Sequence, residues 1–94
     1  MKVRFNRGAL ADLDEILSYI AERNPQAAAA LLERFEGASR LIGKSPEIGM
    51  QTEKANFRTF IVGFYLMVYE IVTDEIIIHY VRHGARQRPW AGER

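Results

Sequence analysis

Apolar residues in the first half of this chain recur at helical spacing; from Phe57 the period changes to two. "KVRF" at residues 2–5 alternates and predicts a short strand. Asn6 is placed to cap a helix beginning just after it, its side chain satisfying a free amide of the first turn. Leu10, Leu13, Ile16, Leu17 and Ile20 then trace one helical face, with Asp12, Asp14, Glu15 and Glu22 on most of the rest. The helix should end near "RNPQ", because Pro25 disfavours helical geometry at Asn24 while suiting the first turn of a new helix. A second helix is expected from about Gln26 to Ile42, with Ala28, Leu31, Leu32, Phe35, Ala38, Ser39 and Ile42 inward. So short a link implies an antiparallel hairpin.

"GKSPEIGMQTEKAN" reads as a loop, punctuated by Gly43, Pro46 and Gly49. "FRTFIV", "FYLMVYEIV" and "EIIIHYVRH" are rich in β-branched and aromatic residues, with turns at Gly63 and Thr73–Asp74. They predict a three-stranded antiparallel meander. The expected fold is α+β: an N-terminal strand, an antiparallel helical hairpin and the meander, with the helices on one face of the sheet.

That arrangement leaves a sheet with one roof. A half-open sheet should alternate apolar and polar residues. The middle strand instead carries Tyr65, Met67, Tyr69 and Ile71 on one face, and Phe64, Leu66, Val68 and Val72, interrupted by Glu70, on the other. In the last strand, strict alternation puts Ile76, Ile78 and Tyr80 on one side and Ile77, His79 and Val81 on the other. Two helices cannot cover both faces. The leftover face is expected to receive another chain, and Tyr and Met are enriched at such contacts. Tyr65, Met67 and Tyr69 are the candidates, although the pattern does not say which face the helices take. The alternative is a strongly twisted sheet partly wrapped by the chain's own tail.

Ninety-four residues make one small domain, 1–94, and 48% apolar content supports a packed core. The net charge is +1, too small for wholesale nucleic-acid binding. Residues 1–50 balance seven Lys/Arg against seven Asp/Glu, so the positive excess sits in the basic tail, 82–94. There is no cysteine, hence no disulfide and no thiolate ligand or nucleophile. The start "MKVRFNRGAL" is not a signal peptide, and the longest apolar stretch, around residues 60–69, falls short of the roughly 20 residues a membrane helix needs. A soluble cytoplasmic protein without membrane attachment is expected.

Few residues suggest chemistry. His79 and His83, four apart on a strand, are separated by roughly 13 Å, too far for one metal ion. His79 reads as structural and His83 as a surface group; no metal or cofactor is expected. No serine has a glycine-flanked elbow, and "GKS" at 43–45 lacks the upstream glycine of a phosphate loop. RNA cleavage would need a base, an acid and cations, and Tyr80, Glu70, His83 and the arginines at 58, 82 and 86 contain such types. Alternation, however, sends Arg82 and His83 to opposite faces. In "HGARQRPW", Gly84 permits a sharp exit from the strand, Pro89 stiffens the segment, and Trp90 is an anchor candidate.

"ALADLDEILSYIAERNPQAAAALLERF", "SPEIG", "FRTFIVGFYLMVYEI" and "VRHGAR", in this order, resemble the ParE branch of the RelE/ParE toxin superfamily over about residues 3–88. The resemblance implies the toxin of a type II toxin–antitoxin module, held in a hetero-oligomer by a cognate antitoxin whose C-terminal segment lies along the toxin. Nucleic acid would be contacted only through that antitoxin. ParE-like toxins block DNA gyrase, whereas RelE-like relatives cut mRNA on the ribosome. The RelE-like pattern resembles "R…GxYR[LIV]xY"; this chain has Arg58, Gly63 and Tyr65 but Leu66 in place of the second cation. Leucine cannot stabilise a charged transition state. The resemblance therefore implies a non-catalytic gyrase inhibitor, with Arg58, Arg82, His83, Arg86 and Trp90 as its inhibitory surface. A ribosome-dependent endoribonuclease is the alternative, and an inactive module that only binds antitoxin is a third.

Overall fold

The computed structural model describes residues 1–84. The elements are β1 (Lys2–Phe5), α1 (Arg7–Arg23), α2 (Pro25–Lys44), a 3-10 turn (Pro46–Ile48), β2 (Met50–Gln51), β3 (Phe57–Val62), β4 (Tyr65–Ile71) and β5 (Glu75–His83). They form a five-stranded mixed sheet of order β1-β5-β4-β3-β2 under two helices. The α+β class, the N-terminal strand, the helical hairpin and the meander stand as expected. Two details differ. β1 runs parallel to β5 at the sheet's edge, and the supposed loop before β3 contains the 3-10 turn and β2. A two-residue strand is too short to leave a period in the sequence.

Local chemistry sets the joints. Asn6 caps α1, its Oδ1 accepting from the Ala9 amide at 2.9 Å. Asn24 alone links the helices and caps α2 likewise, accepting from the Ala27 amide at 3.0 Å, with Pro25 in the first turn. Gly63, at φ 61°, opens the two-residue β3–β4 hairpin, a backbone region that side chains disfavour. Asp12 belongs by spacing to the solvated acids; instead its Oδ2 accepts from the Val81 amide at 2.9 Å. α1 thereby satisfies a backbone donor on the part of β5 that β1 does not reach.

The core lies between the hairpin and one sheet face. Leu13 of α1 and Phe35, Ala38 and Ile42 of α2 pack on Val62, Met67, Tyr69, Ile76, Ile78 and Val81. Leu10, placed on the inner stripe by spacing, is exposed. Val81 is buried although strict alternation puts it opposite Ile76 and Ile78. The cause is a β-bulge: Val68 pairs with Tyr80 but Tyr69 pairs with Ile78, so His79 is extra. The bulge carries His79 and Tyr80 outward together and returns Val81 to the core. No helix among the described residues is long and apolar enough to cross a membrane.

Candidate binding surface

The helices cover the face bearing Tyr65, Met67 and Tyr69. Met67 and Tyr69 are fully buried, and the half-buried Tyr65 packs edge-on against Phe35 with ring centroids 5.8 Å apart. Met67 and Tyr69 are therefore core positions in the folded chain, and Tyr65 lies at the edge of that core. Sequence could not decide this because both faces of β4 are apolar. The face left without helices is the other one.

Three rows cross that open face from β3 to β5. Ile61, Leu66 and Arg82 form the first, Thr59, Val68 and Tyr80 the second, and Phe57, Glu70 and Ile77 the third. The chain partly shields this surface itself. Lys54 lies 4.6 Å above the Phe57 ring and the Arg82 guanidinium 4.1 Å above the Tyr80 ring. Long cationic side chains laid on aromatic rings cover apolar area while keeping their charge in water. Exposure concentrates at the margins, at Met50, Ile61 and Phe64.

His79 sits on this face as a structural group. Asn6 must turn its Oδ1 toward Ala9, so its Nδ2 donates to His79 Nδ1 at 3.3 Å. The His79 proton then belongs on Nε2, which donates to Glu70 Oε1 at 2.9 Å. Both ring nitrogens are engaged, leaving none to act as a base. This chain of Glu70, His79, Asn6 and the α1 cap is not legible in the sequence, since Asn6 and His79 stand 73 positions apart.

On the covered side, Tyr69 and Arg58 latch the segment before β3. The Tyr69 hydroxyl donates to Pro46 O at 2.6 Å and accepts from the Gly49 amide at 3.0 Å. Arg58 Nη1 donates to the carbonyls of Glu47 and Gly49 at 3.1 and 2.7 Å. Burial pushes the Tyr69 phenol above its ordinary value, opposed by the Gly49 bond and the Arg58 charge. Between the ordinary value and the raised one, the unfolded chain releases this proton and the folded chain keeps it. Stability is therefore complete below about pH 10 and falls as pH rises further. Tyr69→Phe should flatten this alkaline slope in urea titrations. At neutral pH it should cost about 1–3 kcal/mol, because Pro46 O and the Gly49 amide lose a buried partner.

The residues picked out as an inhibitory surface do not converge among the described positions. Arg58 pairs with Tyr69 and His83 with Tyr65, four residues apart along β4 or roughly 13 Å. Arg82 faces the open side and His83 the helix side, in line with alternation. His83 lines a cleft of about 400 Å³ with Glu15, Ile16, Tyr19 and Tyr65. Its ring stacks parallel to Phe64 at 6.2 Å, and its buried Nδ1 has no hydrogen-bond partner. Arg86 and Trp90 lie outside the described residues. Among the described residues no cluster of three His, Asp or Glu could hold a metal ion.

The model of the ParE toxin of type II toxin–antitoxin systems matches residues 3–88. The chain belongs to the ParE toxin family. No curated protein matches it significantly in sequence. Among solved structures, the ParE-type fold recurs in a chain of the chromosomal ParDE toxin–antitoxin system from P. aeruginosa. The TM-score is 0.76 at 19% identity, covering 88% of this chain and 95% of that one. A chain of the RelBE2 toxin–antitoxin complex from Mycobacterium tuberculosis is similar at TM-score 0.58 and 25% identity, covering 87% of this ParE-family chain and 88% of that one.

Proposed function

We propose that this ParE-type toxin acts by binding: it inhibits DNA gyrase in the cytoplasm and is neutralised by a cognate antitoxin laid across the open sheet face. The observation that carries the reading is that, among the described residues, Arg58 and His83 are separated by the sheet from Glu70, Tyr80 and Arg82. Arg58 is committed to two backbone carbonyls, His79 has both ring nitrogens engaged, and His83 lies beyond the sheet from Arg82. Leu66 stands in the first open row, where the RelE-like pattern that this chain resembles has its second cation. Acid–base catalysis needs its groups within hydrogen-bond reach of one substrate, and the described candidates are split between the two faces of the sheet.

The open face supports the antitoxin part. Its centre is apolar at Leu66, Val68 and Ile77, and Lys54 and Arg82 lie across the neighbouring rings of Phe57 and Tyr80. A second polypeptide would complete the burial that two helices leave unfinished. Cleavage of mRNA is the second reading, favoured by the likeness to a chain of a RelBE2 complex. Controlled expression in cells separates the two. Gyrase inhibition should give filaments and a DNA-damage response while translation continues. Protein synthesis stopping first would replace it with the nuclease reading, and unimpaired growth would leave only antitoxin binding.

A further inference from the structure

The most exposed aromatic residue among the described positions is neither in the core nor in the cationic tail. Phe64, 76% exposed, stands at the tip of the β3–β4 hairpin. Its backbone is held on both sides. The preceding Gly63 takes the left-handed conformation that the two-residue turn requires. The Gly84 amide donates to Phe64 O at 2.6 Å, tying the tip to the end of β5. The ring is stacked on His83, which also meets Tyr65 at 5.2 Å.

Apolar groups and two arginines flank the tip, Arg34 on the helix side and Arg82 on the open side. Behind it lies the row of Ile61, itself 62% exposed, with Leu66 and Arg82. From α2, Arg34 reaches the turn, its Nη1 lying 3.1 Å from where a Cβ at Gly63 would stand. A protruding aromatic whose backbone is held by the turn, with an arginine beside it, loses little conformational freedom on binding, and such residues dominate protein interfaces. Solubility alone would favour a polar residue at a hairpin tip.

We propose that this tip, Phe64 with Ile61, Leu66, Arg34 and Arg82, is the surface through which the toxin grips its target protein. Its complement is an apolar pocket with acidic groups at the rim. The proposal rests on the reading that the protein acts by binding another protein. A second copy of this chain is a poor occupant, because pairing the tips would bring arginines against arginines. A duplex offers phosphates for the cations but would have to unstack its bases to take the ring. The row behind the tip belongs to the open face, so an antitoxin there would compete with the target.

The test is inhibition of purified gyrase in a supercoiling assay, with growth arrest on expression measured beside it. Phe64→Ser should raise the half-inhibitory concentration at least about 10-fold. Phe64→Tyr should restore most of the inhibition, and both variants should melt like the wild type because the side chain is exposed. Arg34→Glu should weaken inhibition by slowing association, and the loss should grow as salt is lowered. Wild-type inhibition by Phe64→Ser overturns the proposal. So does a loss confined to Arg34→Glu, which would describe a polyanion such as nucleic acid instead. If the wild-type chain arrests growth but leaves gyrase untouched, the choice of gyrase fails. The tip is then judged by growth arrest alone: lost in Phe64→Ser it stands, retained it falls.

Discussion

Phe35→Ala is expected to lower stability by about 3–5 kcal/mol, the usual cost of emptying a phenylalanine site in a core. Phe35 is 1% exposed and is the largest side chain that the helical hairpin fully buries. It packs within the cluster formed with Met67, Tyr69 and Ile78 and holds Tyr65 edge-on at 5.8 Å. Truncation removes apolar contact with both layers at once. The two helices are joined by one residue and the sheet is five strands wide, so neighbours have little room to close the cavity. A small domain holds only about 5–15 kcal/mol in total, and each kcal/mol shifts the melting temperature by about 4–8 °C at this size. A fall of more than about 10 °C is therefore expected in a thermal melt. A fall of only a degree or two would mean that α2 does not roof the Met67 face.

Gly49→Ala should also be damaging, although glycine and alanine differ by one methyl group. The backbone angle at Gly49 is ordinary, φ −76°, so conformational strain is not the cause. Space is. A Cβ there would fall 2.6 Å from the Tyr69 hydroxyl and 2.7 Å from Thr59 O. Neither can yield easily: Thr59 O is backbone, and the tyrosine is fully buried and bonded at both ends. Relief requires moving the segment outward, which stretches the Gly49–Tyr69 bond and the Arg58 contacts. Overpacking of this kind costs about 1–3 kcal/mol. In urea titration the midpoint should drop with the slope unchanged. Wild-type stability would show that the latch over Tyr69 is loose.

Much of this fold is legible because its local and long-range signals agree. Asn6 and Pro25 mark the helix starts, Gly63 marks the hairpin, and the β-branched runs give three strands nearly to the residue. The misses have identifiable reasons. β2 is too short to show periodicity, and the parallel pairing of β1 with β5 is a contact between chain segments with no local trace. One extra residue at His79 reverses the faces of Tyr80 and Val81, and no turn residue announces it. The decisive ambiguity is β4. Apolar on both sides, it cannot reveal which face the helices choose, so Met67 and Tyr69 look like contacts and are core, with Tyr65 half-buried beside them. Phe64 reads as one more apolar strand residue, yet its place just after the turn glycine is the available clue to its exposure.

Arg58 carries a related lesson. An arginine near the start of a strand, in a chain resembling toxins, invites a functional role. Here its guanidinium satisfies two carbonyls of a segment that lacks regular pairing. Satisfying such groups is itself worth free energy, because an unpaired carbonyl away from water is costly.

The central claim is that a sheet roofed on one side, its candidate catalytic groups split between the two faces among the described residues, works by engaging another protein. Supercoiling by purified gyrase, run beside mRNA integrity in a translating extract, tests it most directly. The account predicts that the wild-type chain stops supercoiling and leaves the message intact. Cleaved message with supercoiling unaffected would contradict it.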